Sequence, residues 1–220
     1  MKLDLHIHSV HSRDAAGSPN EILQTCKRAG MQGLAITDHN AIAGSLEAAS
    51  LGVAEGLLVL KGVEVTTTEG HVLAYGVREL IPRGLTIEET IEKIRDSGGI
   101  AVAAHPKRFP TGIGLKNAEA GDFSAIEVIN GGSSGSSNRK AKLVAERRGL
   151  SQTGGSDAHR LSEIGRAYTV LEEVSTEDQV LDMIAKGKAR AEGASTTARQ
   201  GLVYSAETFV EWLKGGFSRL

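Results

Sequence analysis

Leu3-Asp4-Leu5-His6-Ile7-His8-Ser9 reads as a short strand that ends in two histidines. Residues two apart on a strand point to the same side, so the imidazoles of His6 and His8 can meet one ion. Beyond it, short apolar runs fall near residues 33–37, 58–65, 99–104, 125–129, 150–154 and 167–171. They alternate with segments of helical period, the pattern of repeated β-α units and a parallel sheet. The segment 70–77 reads as a strand after a turn, which puts a hairpin in the third unit. Ser18-Pro19-Asn20-Glu21 and Thr86-Ile87-Glu88-Glu89 each offer a capping hydroxyl and a Glu able to reach back to the cap's amide. The helices they open are expected to run to about Arg28 and Ser97, with Gly30 and Gly98 placed to end them. Further helices are expected over 138–148, 176–186 and 206–214. Residues 131–137 (GGSSGSS) read as an exposed flexible connection in preference to a phosphate-cradling loop.

At 220 residues, 40% of them apolar and 24% charged, the chain can bury one substantial core. A single domain over 1–220 is expected, with a helical extension at about 203–220 that carries Phe209, Trp212 and Leu213. The net charge of -2 is too balanced for a protein whose affinity rests on neutralising a nucleic-acid backbone. The single cysteine, Cys26, shares an apolar helical stripe with Ile22, Leu23 and Ala29 and reads as core. The N-terminus carries charge and histidine where a signal peptide would be apolar, and no segment approaches the ~20 apolar residues of a membrane span. The expected compartment is the cytoplasm.

The histidines and carboxylates collect at the strand ends. His6 and His8 close the first strand, Asp38 and His39 follow the second, and Glu64 ends the third. His105, Asn130 and the pair Asp157 and His159 follow the next three. In a closed parallel barrel these ends gather on one face, where barrel enzymes carry their active sites. Imidazole and carboxylate without thiolate suit zinc, manganese or iron, and so many histidines argue against a site dedicated to magnesium or calcium.

Asp4-Leu5-His6-Ile7-His8-Ser9 with Ser12 and Asp14, Thr37-Asp38-His39, Gly62-Val63-Glu64, His71 in HVLAYG, His105-Pro106 and Gly155-Ser156-Asp157-Ala158-His159 resemble, in order, the motifs of the PHP (polymerase and histidinol phosphatase) family. The resemblance implies a distorted TIM-like (β/α)7 barrel with two or three divalent ions at the C-terminal ends of its strands. It implies His6, His8, Glu64 and Asp157 around one ion, Asp14, His39 and His159 around a second, and Glu64, His71 and His105 around a third. Asp14, Asp157 and His159 are the expected catalytic residues, and Asp38 is expected to orient an imidazole from outside the ligand set. Ala74, Ala15 and Ala16 stand where the family often has glycine. His11, the histidine left over, reads as an exposed loop side chain.

The chemistry this implies is hydrolysis of a phosphomonoester of a small molecule or nucleotide by a hydroxide that the ions activate. Arg13, Lys107, Arg108 and Arg160 are the expected contacts to the phosphate, with Arg139 next. Hydrolysis of histidinol phosphate, or exonuclease or nucleotide phosphatase activity, is the alternative within the same chemistry. A metal-stabilised binding module is the alternative outside it. No extended nucleic-acid surface or membrane contact is expected.

Overall fold

A computed structural model describes residues 1–196. In chain order they form β1 (Lys2–Ile7), α1 (Pro19–Arg28), β2 (Gly33–Ile36), α2 (Ala43–Glu55), β3 (Leu58–Thr67), β4 (Gly70–Tyr75), α3 (Ile87–Asp96) and β5 (Ile100–Ala103). There follow α4 (Leu115–Ala120), β6 (Ala125–Asn130), α5 (Gly135–Arg148), β7 (Ser151–Gly155), β8 (Ala167–Val170), α6 (Glu177–Ala185) and β9 (Arg190–Gly193). The expected helix over 206–214 and the extension at 203–220 lie outside the described residues.

The strands form one sheet in the order β7-β6-β5-β4-β3-β2-β1-β8-β9. β1, β2 and β3 are parallel, as are β5, β6 and β7, with β4 antiparallel between the two groups. The sheet curls until the chain just past β7 meets the end of β1: Asp157 N donates to His6 O at 2.7 Å and His8 N to Ala158 O at 2.9 Å. The result is a nearly closed α/β barrel whose parallel strands end on one rim. It departs from seven parallel β-α units at β4, which runs antiparallel, and again at its last strand. The strand expected at 167–171 is present as β8, but it pairs antiparallel to β1 and leads into the hairpin partner β9.

The barrel interior is an apolar plug of Leu3, Leu5, Leu60, Leu73, Tyr75 and Val102, closed from below by Val180, Met183 and Ile184 of α6. Full burial of each such side chain stabilises by roughly 1.5–3 kcal/mol. The alternate strand residues face the helices: Leu34 and Ile36 pack on Ile22, Leu23 and Cys26 of α1, and Val63, Val65, Ile126 and Val128 join the cluster of α3, α4 and α5. Two register shifts interrupt the alternation. Asp4 pairs with Leu34 but Ile7 with Ile36, so β1 holds one extra residue against β2. An added residue re-aims the side chains after it, and here Leu5 points into the plug while His6 and His8 point into the rim. β6 has the same device between Glu127 and Ile129.

Both expected capping boxes form, with Ser18 accepting from Glu21 N and Thr86 from Glu89 N. Gly30 and Gly98 follow those helices at φ 73° and 78°, the left-handed conformation that glycine adopts without a Cβ clash. Residues 131–137 are not a flexible connection. Gly131 and Ser133 are buried, Ser134 caps α5, and the helix starts at Gly135, ahead of the expected residue 138. α2, α4 and β9 have no counterpart in the sequence reading: α2 lacks a side-chain cap, α4 is 6 residues long, and β9 is a half-polar edge.

Candidate metal centre

The end of β3 places Glu64 at the middle of the rim, 1% exposed. Five imidazoles surround its carboxylate. His71 Nδ1 and His105 Nε2 each lie 2.8 Å from Oε1, while His39 Nδ1 is 3.1 Å, and His6 Nε2 and His8 Nε2 each 3.3 Å, from Oε2. Asp157, just beyond β7, sets Oδ1 3.3 Å from His8 Nε2 and 3.6 Å from His6 Nε2. Asp14, from the loop after β1, sets Oδ2 3.2 Å from His159 Nε2 and 3.5 Å from His39 Nε2. All nine candidate donors, His6, His8, Asp14, His39, Glu64, His71, His105, Asp157 and His159, are thus brought together.

Their donor atoms fall into four overlapping groups, each with atoms within 4.8 Å of one another: His8-Asp14-His39-His159, His6-Glu64-His105, His6-His8-Asp157 and His39-Glu64-His71. Compared with the sets implied by the sequence motifs, His8 joins the Asp14 group and His105 pairs with His6. The donors fit divalent ions on a separate ground. Among the described residues, His6 Nε2, His8 Nε2, Glu64 Oε2 and His105 Nδ1 are buried without a hydrogen-bond partner. Such atoms cost on the order of 1–3 kcal/mol each unless something binds them.

Outer residues aim these donors. Glu127, in the middle of β6, accepts from His6 Nδ1 at 2.9 Å and from His105 N at 2.9 Å. The first contact turns His6 Nε2 toward Glu64, the arrangement that second-layer carboxylates impose on ligand imidazoles. Glu127 escaped the sequence reading, although an acid amid Ala125, Ile126, Val128 and Ile129 was a visible signal. Asp38 does not touch an imidazole. It accepts from Ser9 N at 2.6 Å and Ser12 Oγ at 3.0 Å, and Ser12 Oγ in turn lies 3.2 Å from His8 Nδ1. Its orienting effect therefore passes through a serine. Asn130 Nδ2 donates at 3.1 Å to both Glu127 and Asp157. Asp4 lies on the opposite side of β1, accepting from Ser156 N and Gly165 N at 2.8 Å each.

The electrostatics follow from crowding. Burial alone would raise the Glu64 carboxyl, but the imidazoles of His39, His6 and His71 overcome it and hold the group well below the usual carboxylate range. Burial would lower His6, yet Glu127 and Glu64 push it up to about 10. His8 is lowered by burial and by its neighbours His159 and His39. His105 and Asp157 adopt φ 27° and 54°, a left-handed backbone that costs non-glycine residues on the order of 1 kcal/mol. The hydrogen bonds from their amides to Glu127 and His6 O hold them there.

Of the expected phosphate contacts, Arg108 reaches the cluster, with its guanidinium on Asp157 Oδ2. Arg13, Lys107, Arg139 and Arg160 are exposed. His11 lies outside the cluster, its side chain 34% exposed and 3.5 Å from Glu47. The open side of the centre is formed by Asp14 and His39, with side chains 50% and 29% exposed. Chemically, the arrangement offers several cation positions around a shared carboxylate and one guanidinium beside them.

A family model described as PHP domain matches residues 4–156, and one described as PHP-associated matches residues 135–189. An uncharacterized protein of Methanocaldococcus jannaschii is 43% identical over 116 residues, 48% of this chain and 68% of that one. The 3′,5′-nucleoside bisphosphate phosphatase of Chromobacterium violaceum is 25% identical over 255 residues, 74% of this chain and 89% of that one. A solved two-domain protein of Bacteroides vulgatus, described as containing a predicted PHP-like metal-dependent phosphoesterase, superposes with a TM-score of 0.73 at 18% identity. The match covers 88% of this chain and 64% of that one, just under two thirds of its length, and it bears on the fold.

Proposed function

This chain belongs to the PHP domain family, and on that premise we propose that it is a metal-dependent hydrolase of phosphoester bonds that acts on a phosphomonoester of a small molecule or nucleotide. One observation carries the proposal: five imidazoles converge on the buried Glu64 carboxylate, and among the described residues four buried polar atoms there make no hydrogen bond. His6, His8, Asp14, His39, Glu64, His71, His105, Asp157 and His159 would hold two or three ions of zinc, manganese or iron, with Glu64 shared. Such ions supply a hydroxide near neutral pH and neutralise charge on the ester oxygens.

The residues of the chain do the rest. Glu127 and Ser12 hold His6 and His8 in the orientation that leaves Nε2 free, so the donors need not reorganise. We assign Asp14, Asp157 and His159 to the reacting side: Asp14 lies at the open approach, His159 Nε2 is 3.2 Å from it, and Asp157 lies behind them beside His8. Arg108 binds the phosphate charge beside Asp157, and the exposed Arg13, Lys107 and Arg160 are assigned as further phosphate contacts. A purely structural metal site is normally closed by four ligands, and the exposed Asp14 speaks against such a closed site.

The test is metal analysis of protein purified without chelator, followed by phosphate release from sugar phosphates, nucleotides, histidinol phosphate and a chromogenic ester. Asp157→Ala and His39→Ala are expected to abolish release with the circular dichroism unchanged. Wild-type turnover in either variant with metal restored would overturn the assignment.

A further inference from the structure

Asp157 divides its two oxygens between two environments. Oδ1 lies among the rings, 3.3 Å from His8 Nε2 and 3.6 Å from His6 Nε2. Oδ2 meets the Arg108 guanidinium and Asn130 Nδ2, the latter at 3.1 Å. One oxygen is thus left for an ion while protein donors hold the other.

Asn130, buried at the end of β6, is engaged at both ends of its amide. Such a group carries two N–H donors and a carbonyl acceptor. Its nitrogen donates to Asp157 Oδ2 and to Glu127 Oε2, each 3.1 Å away, and Oδ1 accepts from Gly132 N at 3.0 Å. These partners fix which way the amide points, since the reversed group would set its oxygen against two carboxylates. Glu127 Oε1 in turn accepts from His6 Nδ1. One side chain therefore ties Asp157 to the acid that aims His6, and both belong to the donor group His6-His8-Asp157.

A second asparagine holds the first. Asn138, buried on α5, accepts from Asn130 N at 3.3 Å and donates to Asn130 O at 3.0 Å. It also donates to Ser195 Oγ at 3.0 Å. The chain after β9 braces the same loop, with Thr196 N donating to Ser133 O at 2.9 Å. A connected set of hydrogen bonds thus runs from residues 195 and 196, through α5, to the rim.

Resting on the metal centre assigned above, we propose that Asn130 is a positioning residue that presents Asp157 to the ions through Oδ1 and keeps it in register with His6, with Asn138 and Ser195 locking it from outside the barrel. The role matters most once Arg108 turns to the substrate phosphate, because Asn130 then keeps Oδ2 in place. Asn130 touches neither ester nor ion in this scheme and acts through Asp157 and Glu127.

The test compares wild type, Asn130→Ala and Asn138→Ala on the full chain, with Thr176→Ala in the cap of α6 as a variant that weakens the fold elsewhere. Calorimetric titration with manganese is expected to show affinity roughly 10–100-fold lower in Asn130→Ala and about threefold lower in Asn138→Ala, with Thr176→Ala at the wild-type value. Visible absorption at saturating cobalt is the second readout. A displaced Asp157 alters the ligand field, so the spectrum of Asn130→Ala is expected to differ from that of wild type, and that of Thr176→Ala to match it. If Asn130→Ala does not fold, the same two measurements on Asn138→Ala decide. Unchanged affinity, or a saturated spectrum identical to that of wild type, would overturn the positioning role, because a residue that only supports the fold leaves the bound ion's surroundings as they were. Wild-type protein that binds neither metal would sink the metal centre itself, and the positioning role with it.

Discussion

The Glu127 carboxylate touches His6 Nδ1 and His105 N at 2.9 Å each, so one buried acid sets the direction of two candidate donors. Glu127→Gln keeps the volume but removes the charge that fixes the His6 tautomer. Metal affinity is expected to fall roughly 10–100-fold, with activity recovering at high metal concentration. Titration calorimetry with zinc or manganese checks this, and an unaltered affinity would remove Glu127 from the orienting role. Protons compete with the ions at the same atoms. His6, raised to about 10 by Glu127 and Glu64 against the effect of burial, holds a proton near neutral pH in the metal-free protein. A cation at Nε2 must expel it, so metal affinity, and with it activity, is expected to rise with pH. Calorimetry in two buffers of different ionisation enthalpy is expected to show net proton release on metal binding, and zero release would contradict the coordination scheme.

At the scale of elements, the rim depends on how β7 returns to β1. A Cβ on Gly155 would stand 2.7 Å from His6 N, a distance real Cβ atoms do not tolerate. Gly155→Ala therefore forces the closing strands apart, at a cost of roughly 1–3 kcal/mol, and is expected to weaken metal binding together with stability. Loss of stability without loss of metal affinity in denaturant and metal titrations would show that closure does not position His6. Thr176→Ala provides the contrast. Thr176 caps α6, whose Val180 and Ile184 plug the barrel floor, and accepts from Gln179 N at 3.3 Å. Its removal is expected to cost about 1 kcal/mol in urea unfolding while metal affinity stays at the wild-type value. The helices with capping boxes were readable because cap and Glu lie three residues apart. β9 was not, because its stability comes from pairing with β8 and its own residues carry no apolar signal.

For the whole molecule, the metal centre joins segments from residue 6 to residue 159, so ions bound there tie the barrel together. Chelation is expected to lower the thermal midpoint, and restoring metal at about 100 times its Kd is expected to add about 2.7 kcal/mol per site. A midpoint indifferent to metal in a thermal scan would mean that the donors do not bind ions in the folded state. By themselves, the residues in order determined most of the alternation of strands and helices and the donors that sit at strand ends, because periodicity, caps and donor chemistry are local properties, while Asp14 and His71 were implied by the resemblance to the PHP motifs. Tertiary structure alone decided the direction of β8, the extra residues in β1 and β6, the role of Glu127 and the reach of Arg108 to Asp157. Each of these rests on partners far apart in the chain, as with His6 and Glu127 at a separation of 121 residues, and a local pattern carries no record of which distant strand will lie alongside.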